Sequence, residues 1–335
     1  MIRPSRRLLP LAGAGLLGVS LAGSLMVLVV TTTSLQERSA RFMGLAGMSA
    51  SVALGCAACG LLGALLVLLG GSWRWIVWAA IVPCVLAAQL NLSTAVGLVR
   101  PEHVTTGTPL SLITQNLWYR NDDLDAAAET LLAQGAQVLV LSEYTPEAGE
   151  AFRRAGVAER YAYRWGIERP YGRGLAVFST LPFGIPRDLG MSGPGVEVDL
   201  QVRPDATVRL LAVHVNAPSS IYDLPRWIGD MDRLVVEVSD SPPRTVVAGD
   251  LNATSGHRRY RDLTRAGDLR DAHDVAGGGV AATWPLRRAW TPQLLRLDHV
   301  LVGPGLGIES FHLLGDLGSD HRGVAVGLRV PEGPD

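Results

Sequence analysis

Residues 245–254 read Thr-Val-Val-Ala-Gly-Asp-Leu-Asn-Ala-Thr, a short β-branched run that leads into Asp250 and Asn252. The run predicts a buried strand over Thr245–Ala248, because Val and Thr favour strands and the Gly-Asp pair ends it. A carboxylate and an amide directly after a buried strand are suited to binding a cation or orienting a water molecule. A plain Asx turn uses the same residue types, so this stretch alone leaves both interpretations open.

The same arrangement, a predicted strand with a polar tip, recurs at five other places between residues 110 and 330. The other predicted strands are Leu110–Thr114, Val138–Leu141, Gly174–Phe178, Val196–Val202, Val208–Val215, Asp298–Val302 and Val324–Val330. The polar tips are Gln115-Asn116, Ser142-Glu143, His214, Asp298 and Ser319-Asp320-His321. One tip is ordinary turn chemistry, but six together predict polar groups that converge on one end of a sandwich.

Helical patterns lie between some of these strands. We predict helices over Leu124–Gln134, Pro225–Val238 and Tyr260–Ala266, with Asn121 or Asp122 as the N-cap of the first. Strands and helices do not alternate strictly, as they would in a parallel α/β sheet. The pattern therefore favours two sheets packed face to face with helices outside.

In this order the motifs resemble those of the endonuclease/exonuclease/phosphatase superfamily, the DNase I-like proteins. The pieces that carry the resemblance are Gln115-Asn116-Leu117, Ser142-Glu143, Val213-His214-Val215-Asn216-Ala217-Pro218, Gly249-Asp250-Leu251-Asn252-Ala253-Thr254, Leu297-Asp298-His299-Val300-Leu301 and Ser319-Asp320-His321-Arg322. They span nearly all of residues 110–330 and imply an α+β fold, a four-layer αββα sandwich. Ser142 departs from the pattern, since the superfamily usually has Gln before its Glu.

The resemblance also implies a role for each residue in the metal-dependent hydrolysis of a phosphate ester. The implied metal ligands are Asn116, Glu143, Asp298 and Asp320, and the implied catalytic residues are His214, Asp250, Asn252, Asp320 and His321. Asp320 would partner His321 or the metal, and Asp298 would bind metal or orient a histidine. Arg173, just ahead of a strand, is a candidate for binding the substrate phosphate, although an exposed turn arginine is an equal explanation.

The implied cofactor is Mg²⁺, or Mn²⁺ in its place. A hard cation takes oxygen ligands and keeps several waters, which suits Glu143 and Asn116. The three cysteines, Cys56, Cys59 and Cys84, all lie in the apolar first third of the chain. The region of the motifs therefore lacks the thiolate ligands that zinc favours. We interpret Cys56 and Cys59 as packing residues of a membrane helix.

Three apolar runs precede the motifs and predict transmembrane helices, because each is at least about 20 residues long. The runs are Leu8–Val30, Met43–Leu69 and Trp73–Val99. Arg3, Arg6 and Arg7 keep the N-terminus cytoplasmic by the positive-inside rule, and three crossings then place everything after residue 100 outside. The alternatives are a cleaved signal peptide in the first run and a two-helix hairpin, which would invert this topology.

Charge divides the chain at the same point. Residues 1–99 contain six Arg and one acidic residue, Glu37, whereas the remainder contains 24 Arg and 30 acidic residues, a formal charge of −6. An acidic catalytic region argues against a strong grip on nucleic acid, which usually requires a basic face.

The expected organisation is a membrane domain over residues 1–99, a linker over 100–109 and a catalytic domain over 110–335. We expect a multi-pass protein of the cell membrane that hydrolyses a phosphate ester outside it, with no obligate protein partner. The substrate classes left open are a lipid headgroup, a nucleic acid and a small molecule. The competing hypothesis is a non-catalytic binding or sensor module that retains the fold.

Overall fold

The computed structural model describes residues 8–69, 106–276, 281–286 and 293–333. The chain forms two compact units, one holding the apolar N-terminal helices and the other holding the β-rich region.

Among its described residues, the first unit contains three helices and a short 3₁₀ turn. These are α1 (Leu8–Thr32), the turn Ser34–Arg38, α2 (Ala40–Gly47) and α3 (Ser49–Leu69). By length and composition, α1 and α3 could each cross a membrane, a test that a signal sequence near the N-terminus would also pass. The second predicted run is not one helix, because α2 and α3 are separated at Met48. The third run, Trp73–Val99, lies outside the described residues.

Small residues bring α1 and α3 close together. A Cβ added at Gly13 would lie 2.6 Å from the carbonyl oxygen of Gly63, so the backbones touch at this point. The hydroxyl of Ser20 donates to the carbonyl oxygen of Cys56 at 2.5 Å. Close backbone approach and hydroxyl hydrogen bonds are typical of helix pairs in lipid. Cys56 therefore lies in a helix–helix contact, which agrees with its interpretation as a packing residue.

The second unit contains two six-stranded sheets within the described residues. The strands are β1 (Thr108–Asn116), β2 (Val138–Ser142), β3 (Tyr163–Ile167), β4 (Leu175–Ser179), β5 (Arg187–Asp188), β6 (Gly195–Arg203), β7 (Ala206–His214), β8 (Thr245–Asp250), β9 (Arg270–Asp271), β10 (Asp298–Val302), β11 (Gly307–Leu313) and β12 (Val324–Val330). Sheet A has the order β11-β12-β1-β2-β4-β3, and sheet B the order β5-β6-β7-β8-β10-β9.

The two sheets pack face to face and the helices lie outside. The helices are α4 (Leu124–Ala133), α5 (Pro146–Arg154), α6 (Val157–Arg160), α7 (Leu224–Ser239), α8 (Arg258–Ala266) and α9 (Ala272–Ala276). One core joins inward residues of both sheets, such as Val140 and Val300, and a second joins sheet A to α4 and α5 through Leu131 and Phe152. On sheet B, Arg209 of β7 donates to a carbonyl oxygen of α7 at 2.9 Å. The predicted α+β two-sheet sandwich is confirmed.

The N-cap prediction for the first helix of this unit is wrong. Asp123 occupies the N-cap of α4 and makes no side-chain cap hydrogen bond. Asn121 is engaged elsewhere, because its Oδ1 accepts from the Asp123 N–H at 2.9 Å and its Nδ2 donates to the carbonyl oxygens of Leu117 and Leu317. The amide thus shapes the loop ahead of the helix instead of capping it.

One central parallel pair in each sheet determines where polar groups meet. In sheet A, β1 runs parallel to β2 and places Asn116 opposite Ser142. In sheet B, β7 runs parallel to β8 and places His214 opposite Asp250. Strand β10 begins where antiparallel β8 ends, so Asp298 also lies opposite Asp250. Because the ends of parallel strands share one edge of a sheet, both sheets present their polar tips at the same end of the sandwich.

Candidate active site

The side-chain amide of Asn116 joins the two sheets at this edge. Its Nδ2 donates to Glu143 Oε1 at 3.1 Å and to Asp250 Oδ2 at 3.0 Å. Its Oδ1 accepts the backbone N–H of Trp118 at 2.9 Å, and the whole residue is buried. The contact brings a carboxylate from sheet A beside one from sheet B. Ligation of a metal through the Asn116 oxygen stays a prediction, and that oxygen, which accepts one N–H, has a second lone pair for it.

Two imidazoles approach the carboxylate of Asp250. His214 Nε2 lies 3.7 Å from Asp250 Oδ2, and His321 Nε2 lies 3.8 Å from the same oxygen. The other ring nitrogen of His321 is hydrogen-bonded to Asp298 Oδ2 at 2.8 Å. Asp250, Asp298 and His321 are all buried, and one ligand atom of each falls within 4.8 Å of the others. The sequence motifs therefore do converge into one cluster.

Burial and the neighbouring charges shift the pKa values of both Asp250 and His321. Burial raises the pKa of Asp250, and the Asp298 carboxylate raises it further, while His321 and His214 lower it. Burial alone would lower the pKa of His321, but the carboxylates of Asp298 and Asp250 outweigh it and raise that pKa to about 10. His321 is therefore protonated at neutral pH and is the cation that faces these two carboxylates.

Residues with a strained backbone conformation lie at the same edge of the sandwich. Three non-glycine residues beside the cluster have left-handed backbones: Trp118 (φ 59°), Glu143 (φ 56°) and Asn252 (φ 46°). Such conformations cost free energy for residues with a large side chain and often mark functional sites. In Glu143 the strained backbone directs the carboxylate to the cluster, where Oε2 also accepts the N–H of Tyr119 at 2.7 Å.

Asp250 forms the Asx turn that the sequence left open, and the donor of that turn, Asn252, lies beside the cluster as well. Its N–H donates to Asp250 Oδ1 at 2.8 Å, and its side-chain Nδ2 donates to the carbonyl oxygen of Val215 at 2.9 Å. The turn thus fixes one oxygen of Asp250 and ties the loop after β8 to the loop after β7. The Asx turn is therefore part of the candidate site and not an alternative to it.

Asp320 lies next to His321 in sequence but does not orient its ring. Its Oδ2 accepts the indole N–H of Trp284 at 3.1 Å, and burial raises its pKa although His321 opposes the shift. Asp298 is the carboxylate hydrogen-bonded to His321. Of the two pairings left open by the sequence, the structure thus gives the His-orienting contact to Asp298.

Arg173 occupies an exposed turn at the rim. A Cβ added at the preceding residue, Gly172 (φ 76°), would lie 3.2 Å from the carboxyl carbon of Glu143, so this turn packs directly on that side chain. The predicted substrate role of Arg173 stays a prediction, and its position beside Glu143 is compatible with it.

Sequence reasoning missed one contributor to the site and left the surroundings of Ser142 open. The backbone N–H of Tyr119 holds Glu143, and no side-chain pattern signals a backbone donor. Ser142, the departure from the expected motif, is buried in register with Asn116, and its hydroxyl has no hydrogen-bond partner in the described part of the chain. The Gln-to-Ser difference thus removes a longer polar side chain without removing Glu143.

The donor set fits a hard divalent cation. The residues at this edge offer three carboxylates, those of Glu143, Asp250 and Asp298, against one protonated imidazole. Asp298 Oδ1 is buried and accepts no hydrogen bond from any described residue. A buried, unpaired carboxylate oxygen is costly without a cation or a donor. Mg²⁺ is usually bound by a few protein oxygen atoms together with several water molecules. A zinc site would need more nitrogen or sulfur ligands.

Comparison with known proteins agrees with the sequence motifs. The sequence profile described as "Endonuclease/Exonuclease/phosphatase family" matches residues 113–321. This match covers more than half of the chain and contains every residue of the cluster. No curated protein matches the chain in sequence at a significant level.

Solved structures show the same fold. An endonuclease/exonuclease/phosphatase from Beutenbergia cavernae DSM 12333 is 20% identical, with a TM-score of 0.54 over 67% of this chain and 72% of that chain. D. rerio TDP2 complexed with a single strand DNA product is 16% identical, with a TM-score of 0.53 over 66% and 99% of the two chains. A family protein from Bacteroides thetaiotaomicron is 14% identical, with a TM-score of 0.53 over 68% and 100%. At these identities the likeness concerns the fold alone.

Proposed function

We propose, because this chain belongs to the endonuclease/exonuclease/phosphatase family, that it is a membrane-tethered, Mg²⁺-dependent hydrolase of phosphate esters. Members of this family generally hydrolyse phosphoesters with divalent metal ions. The observation that carries the proposal is the amide of Asn116, which joins Glu143 to Asp250 while His321 and Asp298 pair at the same edge.

In this proposal Asp250 orients the attacking water and accepts its proton. The raised pKa of Asp250 makes it a better proton acceptor than an exposed aspartate. The N–H of Asn252 holds one carboxylate oxygen, so the other faces the imidazoles and Asn116. Asn252 would also contact a phosphate oxygen or the water itself.

His321 would stabilise the charge that develops on the phosphoryl oxygens. It is protonated, fixed by Asp298, and held in a buried site, where a positioned donor is worth more than in water. His214 would make a second contact with the phosphate through Nε2, which lies on the Asp250 side of its ring. Both histidines would thereby favour the pentacovalent state over the ground state.

Glu143 would hold the metal, with Asn116 beside it and with Asp320 as a further ligand. Mg²⁺, or Mn²⁺ in its place, would neutralise the anionic ester and so make the phosphorus open to attack by water. Asp298 was predicted as a metal ligand or a histidine-orienting group, and its bond to His321 supports the second role. Arg173, on the turn packed against Glu143, would bind a phosphate oxygen from the rim.

We propose the domain organisation predicted from the sequence: a membrane domain over residues 1–99, a linker over 100–109 and a catalytic domain over 110–335. The helices α1 and α3 support two crossings by length and composition. A third crossing by Trp73–Val99 would place the catalytic domain outside the cell membrane, with the N-terminus in the cytoplasm. External protease on intact cells should remove the catalytic domain, and cleavage only after lysis would overturn this topology.

The candidate substrates are a lipid headgroup, a nucleic acid and a small phosphate ester. The structure of D. rerio TDP2 with a single strand DNA product supports including nucleic acid. The formal charge of −6 on residues 100–335 opposes a long DNA substrate, and a membrane tether favours a lipid. The substrate test should therefore contain all three classes.

The experiment uses the detergent-solubilised full chain, with Mg²⁺ or with EDTA. The probes are bis-p-nitrophenyl phosphate, p-nitrophenyl phosphate, phospholipid vesicles and a single-stranded oligonucleotide. We expect Mg²⁺-dependent hydrolysis of at least one probe, lost in Asp250→Asn and retained in Asp199→Asn, a control at an exposed aspartate on β6. A folded chain without activity on any probe would favour a binding or sensor module instead.

A further inference from the structure

Strand β10 places two adjacent residues on opposite faces of sheet B. Side chains alternate along a strand, so Asp298 and the core residue Val300 face the interior between the sheets, whereas His299 faces the outer side. His299 is buried yet does not contact the cluster at the active-site edge. It is therefore a buried imidazole that the proposed mechanism does not use.

The partners of His299 are acceptors on both sides of its ring. Nδ1 lies 2.8 Å from Asp271 Oδ2, and Nε2 lies 2.9 Å from the carbonyl oxygen of Ala253 and 3.0 Å from that of Arg296. A carbonyl oxygen cannot donate, and an ionised carboxylate cannot either. Both ring nitrogens of His299 therefore face acceptors, and the ring bridges Asp271 to the two carbonyl groups.

The two carbonyl groups belong to the loops that position the active-site edge. Ala253 directly follows Asn252, and Arg296 lies two residues before Asp298. The N–H of Leu251 also donates to the carbonyl oxygen of Leu297 at 2.9 Å, so the two loops run side by side. One imidazole thus fastens both loops from behind the sheet.

Asp271 is itself fully engaged, which fixes the ring of His299. Its Oδ2 accepts the hydroxyl of Tyr260 at 2.6 Å and lies 3.1 Å from Arg296 Nη2 in an ion pair, and its Oδ1 accepts the backbone N–H of His273 at 3.0 Å. The Tyr260 ring packs on His299, with centroids 4.8 Å apart. This cluster has donors for its acceptors, so it serves as a support and not as a second ligand site.

We propose that His299 is a positioning residue, which holds Asn252 and Asp298 in place by fastening the loops that bear them. The inference rests on the proposed function, because it concerns the geometry of that same site. Loss of a hydrogen bond behind a functional group typically lowers activity about 10–100-fold. Since His299 is buried on the outer face of sheet B, opposite the face that bears Asp298, the loss should fall on kcat and leave KM nearly unchanged.

The test compares His299→Gln with a matched control in the detergent-solubilised full chain. His273→Gln removes an equally buried imidazole, whose Nδ1 contacts the side chain of Asp274 at 2.7 Å. We expect kcat to fall about 10–100-fold in His299→Gln and less than about threefold in His273→Gln, with KM within about twofold in both.

A double-variant measurement separates positioning from general destabilisation. If Asp271 acts through His299, the pair His299→Gln and Asp271→Asn should lose no more kcat than the more affected single variant. Fully additive losses would overturn the proposed linkage. An unchanged kcat in folded His299→Gln, or an equal loss in His273→Gln, would overturn the positioning role.

Two further results keep the test decisive. If His299→Gln does not fold, Tyr260→Phe removes only the hydroxyl that holds Asp271, and we expect a smaller loss of kcat, about threefold. No change in that variant would overturn the inference. An inactive wild-type chain on every phosphate ester would instead reject the proposed function, so the two failures are distinguishable.

Discussion

Two buried clusters of carboxylates and imidazoles lie on opposite faces of strand β10, and they differ in how completely their charges are paired. The inner cluster contains Asp250, Asp298 and His321, and the outer cluster contains Asp271, His299 and Arg296. In the inner cluster, Asp298 Oδ1 accepts no hydrogen bond from the described residues, and the pKa of Asp250 is raised. In the outer cluster, a guanidinium, an imidazole and a hydroxyl contact Asp271, whose pKa is lowered. Arg296 also pairs with Asp274, and burial raises the pKa of that carboxyl group to about 8.

The difference shows that burial of charged groups does not by itself identify a site. A closed cluster stabilises the fold, because each buried acceptor has a donor. We call a cluster open when a buried acceptor lacks a donor. An open cluster lowers the free energy of unfolding, and such a loss is typical of groups kept for a ligand. Substitutions in the two clusters should therefore have opposite effects on activity and stability.

Asp250→Asn should separate activity from stability most strongly. We expect activity to fall about 10³-fold, because the proposed proton acceptor is lost. The free energy of unfolding should not decrease, because the charge removed is one that burial disfavours. Kinetics on the most rapidly hydrolysed probe measure the loss of activity. Urea unfolding, followed through amide protection in β8 and β10, measures the stability. A large loss of stability would show that the inner cluster is closed.

Asp271→Asn should lower stability more than it lowers activity, the reverse of Asp250→Asn. Removing the Asp271 charge from a closed, buried cluster leaves His299 without its carboxylate partner and leaves Arg296 paired with Asp274 alone, which typically costs about 3 kcal/mol. We expect that loss in urea unfolding, with a smaller effect on activity than in Asp250→Asn. Asp199→Asn, an exposed aspartate, is the control and should change stability by less than about 0.5 kcal/mol.

The sequence predicted the inner cluster much better than the outer one. Motif order placed Asn116, Glu143, Asp250 and His321 in one site, because each follows or precedes a strongly β-branched strand. The pairing of His321 with Asp298 required the register of β8 against β10, which sequence does not reveal. The sequence assigned no role to His299, because its partners come from a distant strand and two loops.

The elements missed by the sequence are those with weak local patterns. Strand β3 (Tyr163–Ile167) is largely exposed and contains Arg and Gly, so it has no apolar alternation. Strands β5 and β9 have two residues each and exist only because a longer neighbour pairs with them. Helix α5 is amphipathic, but its Pro and Gly reduce the helical signal. Tertiary packing, and not local propensity, determines these segments.

The pH dependence of stability should differ between wild type and Asp271→Asn. Burial alone would raise the pKa of Asp271, but Arg296 and His299 outweigh it and lower the pKa to about 2. The folded pKa is thus below the ordinary 3.8, so this contribution is present above about pH 4 and is lost as the pH falls through about 2. We expect the stability difference between the two proteins to shrink by about 2 kcal/mol over that interval. A constant difference would contradict the ion pairing.

The smallest effect should come from the rim of the open cluster. Arg173 is exposed and lies on the turn packed against Glu143, so Arg173→Ala should raise KM about fivefold and leave kcat and stability unchanged. Arg169→Ala removes an equally exposed arginine from the preceding strand end and should leave KM unchanged. High salt should reduce the difference between wild type and Arg173→Ala, because an exposed charge is screened. A loss confined to kcat would instead place Arg173 in contact with the developing charge of the transition state, which would extend the open cluster to the rim.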